Sequence, residues 1–526
     1  MVASLLKIIS TGMQDERLQP PKDQASLDAF RTVIPKCGRY GTQWSRIDFD
    51  TLPNFGTSSV IRIPTQGEMV GRILLVTQMP DILTPQSRAQ AIEGFVGPHF
   101  SWTNSLGHAV INTVSLSIGG TVVDTIPGRL MEILDEFQTP LERQVETSRQ
   151  LCRQLNGFGQ TSFGSPSSPV GSNSPIQTVT TLLPFWFSRG DPGCLLPIDA
   201  LHVDEVRLTV QYNPITSVYY TDSRQMDSSG KVVQTSTEGG SLWPLLGSEF
   251  YAQSSTGAVI PGLEPRSPLG QVPVLAIPGI TMPQTLSITN AYLLVEYIYL
   301  DKPEANRVRI ADIQVPIVQH YTLDPVDNQN NPNARMSLIV PNPTRDIFFY
   351  CQRYEAAGYN AHFLASRDLS SNQVPYAPWW PDVSGLLQQS DDHSYGTIRP
   401  GFSTRFSEPI RWLSLDYSET LNRYSTENVA IFRSLLPSIE QRKAPFVNRY
   451  FYNLPLSVQN GFTPFSRPMG EANLDKILRI NLSLGFHGKT GQINDDFVDR
   501  YITRVYAETY NILRIYGGRG STMFAY

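Results

Sequence analysis

The feature that most constrains the fold of this chain is a two-residue alternation of apolar and polar side chains, which recurs along the sequence. In one stretch the apolar side chains occupy every second position: Val206, Leu208, Val210 and Tyr212. A later stretch repeats the pattern: Leu478, Ile480, Leu482, Leu484 and Phe486. Successive side chains of a β-strand point to opposite faces, so each pattern predicts a strand with one face in a core. We therefore expect Leu208 and Leu482 to be buried.

Glycine and β-branched residues indicate how such strands are connected. The segment "INTVSLSIGGTVVDTI" (111–126) predicts a hairpin, because Gly119 and Gly120 can adopt the positive φ angles of a two-residue turn. The segment "AYLLVEYIYL" (291–300) is apolar at nearly every position. This composition predicts a strand that is covered on both faces.

Helical patterns are few and short. One helix is predicted to begin at Pro127, because apolar residues follow it at helical spacing: Leu130, Ile133, Leu134 and Phe137. A second is predicted in "STENVAIFRSLLPS", with Ser425 or Thr426 as its N-cap and Pro437 as its end.

The length of the chain predicts more than one domain. Its 526 residues, 40% of them hydrophobic, suffice for two sizeable cores. A polar segment at 300–309 separates two strand-rich halves, although no residue-level repeat relates them. Two long segments, 156–175 and 221–278, are rich in Ser, Gly and Pro and predict long loops. The sequence thus indicates an all-β protein with two sandwiches or barrels in tandem.

Charge and cysteine content exclude several classes of protein. The net charge is −5 and no segment gathers Lys and Arg into a basic stripe, which argues against direct nucleic-acid binding. The cysteines are four, widely spaced and without a CxxC motif: Cys37, Cys152, Cys194 and Cys351. This usage fits assembly in a reducing compartment. No stretch reaches the roughly 18 apolar residues that a membrane span requires, which predicts a soluble protein.

Motifs that could carry chemistry are incomplete. None of the seven histidines forms a zinc motif, and His393, beside two aspartates, is interpreted as part of a solvated loop. In "HGKTG" (487–491), Ser483 stands where a phosphate-binding loop needs glycine. The sequon at Asn481 falls within a predicted strand, and "YGGRG" (516–520) predicts a flexible turn. We therefore expect no catalytic residues, no cofactor and no metal site.

Acidic pairs give no catalytic signal either. Asp135 and Glu136 lie on the predicted helix after Pro127, and no facing partner can be identified for them in the sequence. We interpret them as part of a solvated helix face.

Several segments follow one another in a characteristic order: "WTNSLGHAVINTVSLSIGGTVVDTI", "LPFWF" followed by "LLPIDALHVDEVRLTV", "LLVEYIYLD", "FSRPMGEANLDKILRINLSL" and the C-terminal "VYAETYNILRIYGGRGSTMFAY". Read in this order, they resemble the major capsid proteins of the nucleocytoplasmic large DNA viruses. The opening "GMQDERL" is similar to an N-terminal arm of that family. The segment "SRGDPGC" after Phe187 and the length of 221–278 depart from the family pattern.

The resemblance implies a double jelly roll, with two tandem eight-stranded sandwiches, few short helices and long loops. Its expected divisions are an N-terminal arm at the capsomer base (1–26), a first jelly roll (27–301), a linker (302–315) and a second jelly roll (316–526). The resemblance implies a structural protein of the virion capsid, without enzymatic activity or cofactor. It also implies a homotrimeric, pseudo-hexagonal capsomer that tiles an icosahedral shell around a large double-stranded DNA genome.

The same resemblance implies partners and a place of assembly. Neighbouring capsomers would surround each trimer, and minor capsid proteins and an internal membrane would lie on the inner side of the shell. Direct contact with nucleic acid is not expected, and assembly would take place in the host cytoplasm. Two alternatives remain at this stage: a minor double-jelly-roll capsid component, and a lectin-like carbohydrate-binding sandwich. A β-sandwich glycosidase would need two facing carboxylates, which the sequence does not identify.

The aromatic run at Phe185, Trp186 and Phe187 permits two arrangements. If it is a strand, alternate rings enter the core of the first jelly roll and the intervening ring packs against a neighbouring jelly roll. Alternatively, all three rings lie within one core or under a loop.

Overall fold

A computed structural model describes the following residues: 40–80, 99–103, 105–153, 178–190, 192–222, 244–245, 287–354, 362–363, 365, 408–418, 421–445, 449–458, 461, 468–477, 479–488 and 498–524. The predicted arm (1–26) and the loop 156–175 lie outside these residues. So does the loop 221–278, apart from 221–222 and 244–245.

Within these residues the chain is dominated by β-strands, as predicted. The first half contains β1 (Tyr40–Asp48), β2 (Ser58–Ile63), β3 (Met69–Gln78), β4 (His99–Trp102), β5 (Ile111–Ile118), β6 (Thr121–Pro127), β7 (Thr178–Leu182), β8 (Val206–Tyr212), β9 (Tyr219–Asp222), β10 (Pro244–Leu245) and β11 (Asn290–Leu300). The second half contains β12 (Ile313–Thr322), β13 (Val326–Asp327), β14 (Asn333–Ser337), β15 (Pro343–Arg353), β16 (Ile410–Tyr417), β17 (Leu421–Thr426), β18 (Tyr452–Pro455), β19 (Ala472–Asn473), β20 (Ile480–Phe486), β21 (Tyr501–Tyr516) and β22 (Arg519–Thr522).

Four antiparallel sheets form the two sandwiches. In the first sandwich, sheet I has the order β1-β11-β3-β7 and sheet II the order β2-β8-β5-β6. In the second, sheet III has the order β12-β21-β15-β18, with β13, β19 and β22 paired at its margins, and sheet IV has the order β14-β20-β16-β17. Three short strands of the first half form a separate small sheet in the order β10-β9-β4.

The two sandwiches share one topology. When the eight main strands of each half are counted in chain order, sheets I and III both run 1-8-3-6, and sheets II and IV both run 2-7-4-5. This is the arrangement of two tandem jelly rolls, and it confirms the predicted fold class. The internal duplication that no residue repeat revealed is therefore present in the strand order.

The predicted alternation is confirmed in β8, where the apolar residues are buried and the alternate ones are not. In β20 both faces are buried over most of the strand, so the predicted one-sided burial is wrong there, and Leu478 lies outside the described residues. Leu208 and Leu482 are both fully buried, as expected.

The predicted hairpin is β5–β6, and its turn residues Gly119 and Gly120 have φ angles of 57° and 86°. In β11 only the middle of the strand, residues 295–298, is buried on both faces, so the prediction of full two-sided burial holds for that part alone.

The helices are short: α1 (Leu106–Ala109), α2 (Gly128–Gln138), α3 (Leu141–Gln150), α4 (Lys302–Ile310) and α5 (Leu436–Glu440). The α2 helix follows Pro127, as the sequence predicts. The α4 helix, with a proline in its first turn, connects β11 to β12. Together with the start of β12 it occupies the segment 302–315 that was predicted as the linker.

The predicted limits of the second-half helix are wrong. Ser425 and Thr426 end strand β17, and the helical segment begins as a π-helical turn, Ile431–Leu435. It then continues through Pro437 into α5. Pro437 is the second residue of α5 and closely follows the π-helical turn, where the regular i→i−4 hydrogen bonds are already interrupted.

The aromatic run is not a strand. Trp186 opens a 3-10 turn, Trp186–Arg189, which ends at Gly190 in the left-handed conformation (φ 80°). All three rings are fully buried; Phe185 stacks on Phe187 at 5.6 Å between centroids, and Trp186 meets Phe187 edge-on at 4.9 Å. The turn contacts both β3 and β12, so the cluster packs in the first sandwich and also contacts the second. A continuous apolar run carries no two-residue period, so nothing in it selects a strand.

Replacing Leu208 by Asp should abolish folding of the first sandwich. An unpaired carboxylate in this fully buried position costs about 5 kcal/mol or more, comparable to the whole stability of many domains. The check is the yield of soluble protein together with its near-UV circular dichroism.

The control is Gln211→Asp, because Gln211 lies on the same strand but is exposed. A soluble Leu208→Asp protein with native circular dichroism would show that the core of the first sandwich is elsewhere.

Candidate functional site: the junction between the two sandwiches

The α2 helix lies where the two sandwiches meet. Its apolar residues Leu130, Ile133 and Leu134 are buried in the core. At its C-terminal end, the ring of Phe137 lies 5.3 Å from that of Phe348 on β15. Most of the surface of α2 is therefore buried, and its polar side chains lie in the junction as well.

Three carboxylates of α2 form the centre of a buried ionic cluster. Arg153, which follows α3 in the chain, pairs with Glu132, Asp135 and Glu136. The second sandwich supplies two further cations, Arg449 and Lys443. Atom Nη2 of Arg449 lies 3.4 Å from Oε1 of Glu132, and Nζ of Lys443 lies 3.3 Å from Oε2 of Glu136. Three carboxylates thus face three cations, two of which come from the other half of the chain.

Neutral and histidine groups complete the hydrogen bonding of Glu132. The Ser105 hydroxyl donates to one carboxylate oxygen at 2.7 Å, and Nδ1 of His108 lies 2.7 Å from the other. Burial by itself would raise the pKa of Glu132, but Arg153, His108 and Arg449 together outweigh burial and hold that pKa well below its usual range. Glu132 is therefore a permanent anion at the junction.

This cluster corrects our interpretation of Asp135 and Glu136. The side chain of Glu136 is fully buried and that of Asp135 is only 12% exposed, so the expected solvated face does not exist. The sequence could not show this, because the partners are remote: Arg153 follows Asp135 by 18 residues, and Lys443 follows Glu136 by 307. A charged pair on a short helix gives the same local signal whether its partners are water or cations.

A second charged contact joins the edges of two sheets. β6 is an edge strand of sheet II, and β12 is an edge strand of sheet III. Nδ1 of His320 on β12 lies 2.9 Å from Oδ2 of Asp124 on β6, and the His320 backbone N–H donates to the same carboxylate at 2.9 Å. On the other side of the ring, Nε2 lies 3.6 Å from Glu508, which also pairs with Arg189 at 3.3 Å.

The protonation of this second network follows from its burial. Burial opposes the charge of His320, but Asp124 and Glu508 outweigh it and raise the pKa of that imidazole to about 9. Burial likewise opposes ionisation of Glu508, yet His320 and Arg189 lower its pKa to about 2. The network is therefore a charged histidine between two carboxylates at neutral pH.

Arg129, at the start of α2, connects three segments of chain. It donates to the Tyr350 hydroxyl at 2.9 Å and to the His362 carbonyl at 2.8 Å. Burial, together with the charge of Arg129, lowers the pKa of His362 to about 4. The ring is then neutral, and its Nε2 donates to the Ser217 carbonyl of the first half at 2.5 Å.

The glycine-rich segment near the C-terminus also belongs to the junction. The turn of the β21–β22 hairpin contains Gly518, whose carbonyl accepts from the N–H groups of Val203 and Asp204 at 3.1 and 3.2 Å. A Cβ atom on Gly518 would lie 2.6 Å from the His202 ring. The predicted turn is present, and its hydrogen bonds attach it to the first half of the chain; its flexibility stays a prediction.

The remaining sequence candidates are not assembled into a site. His393 lies outside the described residues, as do 489–491 of the "HGKTG" segment. Asn481 is 8% exposed on β20. Across the described ranges, no cluster of three or more His, Cys, Asp or Glu side chains is suited to a metal ion, and no helix is long and apolar enough to cross a membrane.

The described cysteines do not form a site either. Cys152 and Cys351 are buried free thiols, and burial raises the pKa of each to about 12. Thiols in this state are poor nucleophiles.

Comparison with known proteins points to a single family. A family model described as the major capsid protein N-terminus matches residues 29–301. Probable capsid protein 4 of Acanthamoeba polyphaga mimivirus is 19% identical over 80% of this chain and 88% of its own length. The major capsid protein of Phaeocystis pouchetii virus is 20% identical over 100% of both chains.

A solved structure gives the same result for the fold. The capsid protein in the quasi-atomic description of the PBCV-1 virus capsid superposes with a TM-score of 0.61 at 15% identity, and the alignment covers 94% of this chain and 100% of that one. The fold is a double jelly roll, and the carboxylates that α2 brings together are paired with buried cations at the junction. The chain belongs to the major capsid protein family of the nucleocytoplasmic large DNA viruses and is a structural component of the virion capsid.

Replacing Glu132 by Gln should destabilise the protein by about 3 kcal/mol, because it leaves Arg153 and Arg449 buried beside an uncharged group. The measurement is the midpoint of thermal unfolding. The matched control is Glu146→Gln on the exposed side of α3, where the pair with Arg149 is about 70% exposed and contributes less than about 1 kcal/mol. Equal midpoints for the two variants would contradict the central role of the cluster.

The His320 network predicts a stability that falls at alkaline pH. Because the folded pKa is raised from 6.5 to about 9, the stabilisation is fully present below pH 6.5 and is lost as the pH rises through 9. By linkage, the loss is up to about 3 kcal/mol. The unfolding midpoint of the wild type should therefore fall more steeply between pH 7 and pH 9.5 than that of His320→Gln. Parallel pH profiles for the two proteins would show that His320 does not carry this charge.

Proposed function

We propose that three copies of this chain form a homotrimeric, pseudo-hexagonal capsomer, and that these capsomers tile the icosahedral shell of a large double-stranded DNA virus. The observation that carries the proposal is the repeated strand order of sheets I and III and of sheets II and IV. One chain supplies two similar blocks held together by a buried junction, so three chains supply six. The similarity to the PBCV-1 virus capsid supports the same arrangement.

The divisions expected from the sequence fit this proposal. Residues 27–301 would form the first jelly roll and residues 316–526 the second, with 302–315 as the linker. The loops 156–175 and 221–278 would crown the outer end of the capsomer, where insertions do not disturb the sheets. The arm, 1–26, would lie at the base of the capsomer, facing minor capsid proteins and an internal membrane; its segment "SLLKII" offers four aliphatic side chains for such a contact.

Assembly in the host cytoplasm is supported by the cysteines. Cys152 and Cys351 are free thiols in the described part of the chain, as expected of a protein that folds in a reducing compartment.

The test is the assembly of the full-length chain beside a chain that lacks residues 1–26. The full-length protein should have the native mass of a trimer, form closed particles in host cytoplasmic extract, and be abundant in purified virions. The truncated protein should remain trimeric and fail to form closed particles, because the arm supplies contacts at the base of the shell and not within the trimer.

Three outcomes would overturn parts of the proposal. A full-length protein that stays monomeric at all accessible concentrations would remove the capsomer. Trace abundance in virions would indicate a minor capsid component. Normal particles from the truncated chain would remove the role of the arm.

A further inference from the structure

The outer face of sheet III is covered by the first sandwich. Phe348 on its third strand packs against Phe137 of α2, and His320 on its first strand pairs with Asp124 of β6. Glu508 on its eighth strand pairs with Arg189. The covering elements, β6 and α2, are the fifth strand of the first sandwich and the helix that follows that strand.

In the described part of the chain, the corresponding face of sheet I carries partly exposed apolar side chains beside charged ones, among them Arg46, which lies 4.1 Å over the Tyr292 ring. Its central row runs across three strands in register: Leu294 on β11, Leu74 on β3 and Leu182 on β7. Trp44 on the edge strand β1 and Leu182 on the opposite edge are 44% and 42% exposed. On β11, the side chains of Leu293 and Val295 belong to the sandwich core. Leu294 lies between them in the strand, so its side chain and those of its neighbours in the row point away from that core. We call this surface, formed by Trp44, Leu74, Leu182, Tyr292 and Leu294, the open face.

A buried carboxylate on the eighth strand marks both faces. Glu508 in sheet III is 1% exposed and Glu296 in sheet I is 7% exposed. Glu296 is held by Arg72 at 2.9 Å on the neighbouring strand. The two faces thus match in topology and in one ionic feature, but only the face of sheet III has a described covering element.

The second sandwich carries an unused equivalent of α2. The helical segment that follows its fifth strand, Ile431–Glu440, stands at the same place in the strand order as α2. Leu435 and Ile439 are four residues apart on this segment, so they share one face. They are 55% and 56% exposed, whereas the apolar residues of α2 are all buried. We call this pair of side chains the exposed ridge.

We propose that the exposed ridge of one copy packs on the open face of a second copy and repeats between chains the contact that α2 makes on sheet III within a chain. The second copy is the occupant that the internal duplication favours, since it presents the same strand order beside a helix at the same place in that order. The proposal rests on the proposed trimer and specifies which surfaces form it.

Such a contact is heterologous, because two different surfaces of the chain meet. Heterologous contacts of this kind close into rings when the rotation between copies permits. Each copy has one ridge and one open face, so every copy in a closed ring uses both. An isologous contact would instead pair a surface with itself.

The first measurement is the native mass of full-length variants. Ile439→Glu places a charge on the ridge, and Leu182→Glu places one on the open face; both positions are partly exposed, so the fold should tolerate the change. We expect each variant to be mainly monomeric at a concentration where the wild type is trimeric, with at least a tenfold weaker association. The matched control is Ile339→Glu, a 78% exposed isoleucine between β14 and β15 that belongs to neither surface, and it should remain trimeric. A native circular dichroism spectrum for each monomeric variant would show that the chain is folded and that only the contact between copies is lost.

The second measurement mixes the two monomeric variants. Ile439→Glu retains an intact open face, and Leu182→Glu retains an intact ridge, so a mixture has one functional contact. We expect a dimer that contains one copy of each variant, identified by giving the two chains different masses. An isologous contact gives no such mixed dimer.

The outcomes separate this inference from the proposed function. Trimeric Ile439→Glu and Leu182→Glu proteins would overturn the pairing of ridge and open face while the trimer itself stands. A wild type that is monomeric would overturn the trimer and the inference together. Monomeric variants that give no mixed dimer would show that the two surfaces do not meet each other.

Discussion

The structure depends on the neutralisation of buried charge at the junction between the sandwiches. Glu132 and Glu136 lie at 0% exposure, where an unpaired carboxylate is strongly unfavourable. Their cations come from two parts of the chain, with Arg153 in the first half and Arg449 and Lys443 in the second. Separation of the sandwiches would leave charges without partners, so the junction favours one relative placement over others. A buried ion pair adds little to the net stability of the fold, but an arrangement that separates the two charges is strongly destabilised.

The junction also makes two topologically equal sandwiches unequal. The helix after the fifth strand is buried in the first sandwich and exposes an apolar ridge in the second. The outer sheet is covered in the second sandwich and carries partly exposed apolar side chains in the first. In the proposed trimer, the exposed ridge of one copy would meet the open face of the next in a heterologous contact.

The burial of the acidic residues of α2 argues against their use in glycoside hydrolysis. A glycosidase requires two carboxylates that face a substrate, and the carboxylates that α2 brings together are neutralised by cations away from solvent. Family membership over residues 29–301 indicates a structural role. The same residue types that could perform acid-base chemistry here attach two domains to each other.

Local sequence patterns were enough to predict the β class, the two halves, the core positions such as Leu208 and Leu482, the Gly119–Gly120 hairpin and the start of α2. These features depend on local periodicity and turn chemistry, which a single segment carries. The sequence motifs in their order also indicated the family. Tertiary structure decided the rest. It turned the aromatic run at 185–187 into a 3-10 turn, extended a helix through Pro437, and buried Asp135 and Glu136 against cations up to 307 residues away. Partners so distant leave no local signal, because the same charged helix face is stable in water and in a neutralised interior.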